Sequence, residues 1–146
     1  MIQRKQTIYL LLALAALIVC LCLPIGKTAV SPSVGGIVVY YNLGAYLVNS
    51  FTPHPVPFVD LVIAGTIALV TIFLYKKRKV QMKLCVLDII LCLLWYGWYI
   101  AMVLTVDGMN VAFGACLPLV AVIFLFMARR GVKADEELIK SMDRIR

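Results

Sequence analysis

Four long apolar runs, with basic residues grouped at alternate ends of them, constrain this sequence more than any other feature. The runs cover about residues 8–25, 58–75, 84–106 and 109–128. Each is close to the roughly 17–25 residues that an α-helix needs to cross about 30 Å of hydrocarbon. A helix satisfies its own backbone hydrogen bonds, so helices are the open-chain structure that can cross lipid. The pattern therefore predicts an all-α membrane protein, built as an antiparallel bundle of four transmembrane helices.

The composition excludes an ordinary soluble domain. Hydrophobic residues make up 64% of the 146 residues and charged residues only 14%, against about 45–50% and about 25% in soluble domains. A globule of this size has too little interior for so many apolar side chains. We therefore expect residues 1–146 to form a single membrane domain whose principal contact is the lipid bilayer. The net charge of +7 lies beside the apolar runs and accompanies no nucleic-acid motif, so no nucleic-acid partner is predicted.

The distribution of lysine and arginine predicts the orientation. Thirteen of the fourteen basic residues lie at the amino terminus, in the loop after the second run or in the tail, 129–146, and Lys27 is the exception. Such residues favour the cytoplasmic side. This predicts a multi-pass membrane protein with both termini in the cytoplasm. The first run has the basic start of a signal peptide, but Lys27 stands where a cleavage site would be needed, so we interpret the run as an uncleaved anchor.

The predicted outer loop, residues 27–57, contains signals for a small β-hairpin. Residues 37–41 and 45–48 are rich in β-branched and aromatic residues, and a turn pattern separates them. The proline-rich stretch 53–57 is expected to be extended, since proline disfavours helix in the residue before it. The very short connection at 106–108 predicts that the third and fourth helices are antiparallel neighbours.

The fourth run and the tail carry two further predictions. Pro118 lies midway along the fourth run and should bend that helix. The tail, 129–146, is too polar to cross lipid, but Leu138, Met142 and Ile145 recur at helical spacing. This predicts a separate cytoplasmic amphipathic helix. Its apolar side would contact either the lipid surface, beside basic residues, or a partner protein.

One face of the third helix is the main candidate for an interior polar site. Residues at alternating steps of three and four share a helix face, and here they are Cys85, Asp88, Cys92, Trp95, Tyr99 and Met102. A carboxylate within a span is a functional candidate by default. The alternative is a structural ion pair of Asp88 with Arg78, Lys83 or Arg129. The candidate site is Asp88, Trp95 and Tyr99, where packing competes with a pocket for a lipid, a quinone or another flat ligand.

The remaining polar residues indicate no chemistry. The five cysteines lie in apolar runs without a C-x-x-C pair, which is typical of packing rather than of a metal or redox site. His54 lies in the proline-rich loop, where a surface position is expected. Asp60 is expected to stabilise the start of the second helix. No catalytic residue, cofactor or metal site is predicted.

Three stretches resemble a small Bacteroidota membrane-protein family catalogued as domain of unknown function 4293. They are the opening MIQRKQTIYLLLALAALIVCLCLP, the basic loop with its flanks, IFLYKKRKVQMKLCVLDIILCLL, and the ending ARRGVKADEELIKSMDRIR. The resemblance covers nearly the whole chain. It implies a four-helix inner-membrane protein and supplies neither an activity nor catalytic residues.

Three classes of function remain open at this point. The absence of a catalytic pattern and the amphipathic tail favour a non-enzymatic interaction, assembly or accessory subunit that binds another membrane protein or a second copy of itself. The first alternative is a small-solute transporter or channel acting as an oligomer, with Asp88 in its path. The second alternative is a redox protein or a quinone- or lipid-binding protein.

Overall fold

The computed structural model describes residues 3–29, 36–47, 50–75 and 77–145, and it describes no side chain for residues 3–5, 140 and 143–145. Four α-helices are present in these ranges: α1 Gln3–Cys22, α2 Pro55–Phe73, α3 Arg78–Thr105 and α4 Leu117–Ile145. A short 3₁₀ helix, Phe113–Cys116, leads into α4. The described strands are β1 Gly26–Ala29, β2 Ile37–Tyr40, β3 Gly44–Leu47, β4 Ser50–Pro53 and β5 Asn110–Val111.

The helices pack side by side, α1 against α2, α2 against α3, α3 against α4, and α4 back against α1. Small and apolar side chains line the contacts, and we call the packed helices the helical core. Fully buried residues include Leu10 and Leu17 on α1, Leu61 on α2 and Leu125 on α4. The outward helix faces are covered with exposed apolar side chains, as expected for a surface that meets lipid rather than water.

The fold-class prediction is wrong, because the protein is not an all-α four-helix bundle. An antiparallel five-stranded sheet in the order β4-β3-β2-β1-β5 covers one end of the helical core. Within the described residues, three helices are long and apolar enough to cross a membrane, and the apolar part of α1, Gln6–Cys22, is shorter than these. These three helices are consistent with a membrane protein.

Hydropathy missed the extent of the sheet partly because two of its strands, β1 and β5, border or lie within apolar runs. The predicted hairpin corresponds to β2 and β3 and is only part of the sheet. Strand β1 directly follows α1, and β5 lies inside the stretch that was assigned to a fourth span. Helix α2 begins at Pro55, so the proline-rich stretch is extended only up to Pro53. Proline fits the first turn of a helix because no partner is needed there for its missing N–H.

Helix α4 corrects two further predictions. Pro118 is the second residue of α4 rather than its midpoint, so it begins the helix instead of bending it. The predicted separate tail helix does not exist, because α4 continues as one helix from Leu117 to Ile145. In the described part of this tail, Lys133 pairs with Glu137 at 3.8 Å. The spacing of Glu136 and Lys140 in the sequence would also allow a pair one turn apart, but the Lys140 side chain lies outside the described residues.

The two ends of the helical core differ in character. At one end α1, α3 and α4 meet, where the Gln6 side chain donates to the Asp135 carboxylate and Arg78 donates to the Asp135 backbone carbonyl at 3.3 Å. Lys79, Lys83 and Arg129 lie together near this end, which we call the basic end. The sheet covers the opposite end, the sheet end. Lys27 is the described basic residue that lies on the sheet.

Candidate functional site

The predicted inward face of α3 is buried along most of its length. Cys85, Asp88, Cys92, Trp95 and Tyr99 are each at most 6% exposed. Gln81 continues the face toward the basic end and donates from Nε2 to the Thr71 carbonyl of α2 at 3.3 Å. The structure therefore brings Asp88, Trp95 and Tyr99 onto one buried stripe, as the spacing predicted. Their roles differ, however, because only the two aromatic residues have hydrogen-bond partners among the described residues.

Trp95 belongs to a buried link between three parts of the chain. Its Nε1–H donates to the Asn42 Oδ1 atom at 2.9 Å, and Asn42 Nδ2 donates to the Cys20 carbonyl at 2.7 Å. Asn42 is fully buried in the turn between β2 and β3. The residue four positions after Cys20 is Pro24, which has no N–H to donate to that carbonyl. Asn42 supplies the missing donor and so fastens the sheet to both α1 and α3.

Tyr99 makes a second link one turn farther along α3. Its hydroxyl donates to the Ile25 carbonyl at 3.0 Å, and its ring stacks on Trp95 with centroids 5.2 Å apart and planes 7° from parallel. The Ile25 carbonyl also accepts from the Ala112 N–H at 3.1 Å. Both aromatic residues thus have their polar atoms and one ring face engaged. The arrangement holds the sheet on the helices and leaves no slot between these rings for a flat ligand.

Tyr96 makes a third link, which the sequence analysis missed. Its hydroxyl donates to the Ala115 carbonyl at 2.7 Å and accepts from the Leu119 N–H at 3.0 Å. Those two backbone groups are four residues apart and would bond each other in an uninterrupted helix. The hydroxyl is therefore inserted into the first turn of α4, where the 3₁₀ helix changes into the α-helix.

Replacing Tyr96 by phenylalanine should lower the free energy of unfolding by only about 1 kcal/mol. The loss is small because the freed Leu119 N–H and Ala115 carbonyl can bond each other once the hydroxyl is gone. Thermal unfolding in mild detergent, followed by a dye that reacts with exposed thiols, measures the change through buried Cys20, Cys85 and Cys92. A loss several times larger would mean that α4 cannot close its first turn without Tyr96.

Asp88 differs from the aromatic residues because it has no partner. It is fully buried, and neither of its carboxylate oxygens has a hydrogen-bond partner within the described structure. The predicted ion pair with Arg78, Lys83 or Arg129 is wrong, since Arg78 instead donates to the Asp135 carbonyl. The expected capping role of Asp60 is also wrong. Helix α2 begins at Pro55, so Asp60 lies beyond the first turn, and its Oδ2 atom is buried without a partner.

The end of α4 provides a second candidate, a contact surface. The face of α4 that packs on the other helices runs through Ala121, Leu125, Ala128, Val132 and Asp135, all buried. The same helical spacing continues to Ile139 and Met142, which are 40% and 63% exposed. Leu138 flanks them at 51% exposed, whereas the predicted contact residue Ile145 has a side chain outside the described set. We call Leu138, Ile139 and Met142 the tail stripe.

A comparison with protein families identifies the chain's relatives. The family model matches residues 2–145, which include every described helix and strand. The chain belongs to the family described as domain of unknown function 4293. This confirms the family resemblance of the three stretches at its start, basic loop and end. No curated protein matches the chain. The family description states no reaction or ligand, so the geometry of this family member is the evidence for its function.

This family member also has a cleft at its sheet end. A cavity of about 540 Å³ lies between strands β2–β4 and the last turns of α3, with Trp98, Met102 and His54 among its lining residues. No Asp, Glu, Lys or Arg side chain of the described residues lines it. His54 is exposed, as expected, and its Nδ1 atom lies 3.1 Å from the Thr52 carbonyl. These lining residues suit an apolar ligand, such as a hydrocarbon chain, and they provide no charged group that could bind a charged solute.

Proposed function

We propose that this protein is an accessory or assembly subunit of a larger complex in a bacterial inner membrane. The observation that carries the proposal is the tail stripe, because it continues the packing face of α4 beyond the helices that cover that face. Helices present an apolar stripe where another element covers it. An uncovered continuation of a packing face is therefore a surface for a partner helix.

Two features favour a protein over the lipid surface as the occupant of the tail stripe. First, α4 is one continuous helix, about 43 Å long at a rise of about 1.5 Å per residue. A straight continuation of a spanning helix projects away from the membrane, whereas a surface-bound helix lies in the membrane plane. Second, residues 131–146 contain four basic and four acidic residues. Their balanced charge gives little attraction to anionic head groups.

The orientation belongs to the same proposal. The basic end, with the tail, would lie in the cytoplasm, since cytoplasmic segments are enriched in lysine and arginine. The sheet would then lie on the opposite side of the membrane. In this arrangement the partner is a cytoplasmic helix or the cytoplasmic part of another membrane subunit.

The double substitution Ile139→Glu with Met142→Glu tests the tail stripe. Burying these two side chains contributes roughly 1.5–3 kcal/mol each, so their loss should weaken partner binding on the order of a hundredfold or more. Tagged full-length protein purified from native membranes in mild detergent should lose its partner. The matched control is Lys133→Glu, which changes the net charge by the same two units at an exposed position on the opposite face of α4 and should keep the partner.

The outcomes separate clearly. Both variants should keep their buried cysteines protected from thiol reagents, since none of the three substituted side chains packs in the helical core. Loss of one defined membrane complex with the stripe variant alone supports the proposal. Recovery of the wild-type protein alone, or of the same proteins with both variants, would refute it.

A further inference from the structure

Two unpartnered carboxylates lie on neighbouring helices within the helical core. Asp88 is fully buried on α3 with both carboxylate oxygens unpartnered, and Asp60 on α2 has one buried oxygen in the same condition. An unpaired carboxylate in a low-dielectric interior is strongly disfavoured, and such a group becomes neutral or gains a cation. The pair therefore needs a positive species that the described residues do not supply.

The packing of α2 on α3 brings the two carboxylates together. The hydrogen bond from Gln81 on α3 to the Thr71 carbonyl on α2 fixes the axial register of these two helices. Asp60 precedes Thr71 on α2 by as many residues as Cys92 follows Gln81 on α3. Because the two helices are antiparallel, Asp60 and Cys92 lie at the same level along the helix axes. Asp88 is one turn away from Cys92, about 6 Å along the axis. In agreement with this register, Asp60 and Asp88 are close enough for their charges to interact.

The groups around the pair favour a proton over a metal ion. Cys85 and Cys92 on α3 and Cys20 on α1 are the neighbouring thiols, and α4 contributes Arg129, whose charge reaches Cys85. No set of three His, Cys, Asp or Glu side chains among the described residues could hold a metal ion. The Arg129 side chain is exposed. A proton needs no such ligand set, because one carboxylate oxygen binds it and a nearby negative charge favours that binding.

We propose that Asp60 and Asp88 form a proton-binding site in the helical core, where Asp88 holds a proton and the negative charge of Asp60 favours its binding. This site is independent of the tail stripe and of its partner. Access for protons is expected from the sheet end, because α2 begins there at Pro55 and Asp60 is only partly buried.

Dicyclohexylcarbodiimide, an apolar reagent for protonated carboxyl groups, tests the site in the full-length protein in lipid vesicles. The acid adds across one C=N bond: its oxygen bonds to the central carbon and its proton goes to nitrogen. Transfer of the acyl group from oxygen to nitrogen then gives a stable N-acylurea with no leaving group. Peptide mass spectrometry should find this adduct on Asp88 or Asp60, and labelling should fall as the pH rises.

Variants give the matched comparisons. Asp88→Asn should remove most of the labelling, and Asp60→Asn should move the labelling of Asp88 to lower pH, because a nearby negative charge favours the protonated acid. Asp107→Asn, at an exposed carboxyl in the turn after α3, should change nothing. Absence of an adduct on both residues in the wild-type protein at every pH would overturn the proposal, and so would labelling that does not depend on pH.

Discussion

Replacing Asn42 by alanine should lower the free energy of unfolding by about 2–5 kcal/mol. The substitution leaves the buried Trp95 Nε1–H and the Cys20 carbonyl without partners, and each unsatisfied buried group costs about 1–3 kcal/mol. Unlike the backbone groups beside Tyr96, these two lie on different helices and do not complete a helical turn when the side chain between them is removed. Pro24 also prevents a backbone N–H from reaching the Cys20 carbonyl.

Thermal unfolding in mild detergent measures this loss, with Asn110→Ala as the matched control. Asn110 is exposed on β5, so its replacement should change stability by no more than about 0.5 kcal/mol. A double-mutant cycle with Trp95→Phe should give a coupling energy of about 0.5–3 kcal/mol, as expected for two side chains in direct contact. Equal stability of the Asn42→Ala and Asn110→Ala variants would mean that the sheet is not fastened to the helices through this link.

Replacing Gly114 by alanine should also destabilise the protein, by about 1–3 kcal/mol. A Cβ atom at Gly114 would lie 2.4 Å from the Pro24 carbonyl oxygen and 3.1 Å from its carbon. Both are backbone atoms, so relief requires the segment after α1 to move away from the 3₁₀ helix. That movement would also stretch the hydrogen bond from Cys20 Sγ to the Gly114 carbonyl.

The control for Gly114 is Gly97→Ala on α3, where the added Cβ would meet nothing within 4 Å. Alanine favours a helix interior over glycine by up to about 1 kcal/mol, so this variant should be as stable as the wild type or more so. Thiol-dye unfolding curves of the two variants should therefore shift in opposite directions. A shift in the same direction for both would contradict the close contact between Pro24 and Gly114.

Local patterns in the sequence predicted some elements of this fold well. The steps of three and four from Cys85 to Tyr99 identified the buried face of α3, because helical period alone decides which residues share a face. The prediction that α3 and α4 are neighbours is confirmed, but its reason was wrong, because residues 106–116, with β5 and the 3₁₀ helix, connect them rather than a three-residue turn. The continuity of α4 was missed. The change from apolar to polar residues near Arg129 predicts the end of the spanning helix, but it does not break the helix itself.

The partners of buried polar groups could not be read from the sequence. Asn42 occurs in an ordinary turn pattern, and its partners Cys20 and Trp95 lie 22 and 53 residues away. One signal was present, because Pro24 deprives the Cys20 carbonyl of its usual helical donor. Strands β1 and β5 have four and two residues, too few for an alternating pattern. Asp88 was recognised as unusual, but its nearness to Asp60 depends on the register of α2 against α3.

Site-specific photocrosslinking from the tail in native membranes tests the proposed function most directly. A photoreactive amino acid placed at Met142, in the tail stripe, is compared with the same group placed at Glu137, which is exposed on the other side of α4. The proposal predicts one defined protein adduct from position 142 and none from position 137. Adducts that are equal at both positions, or that contain only lipid, would contradict the assignment of the tail stripe as a docking surface for a partner subunit.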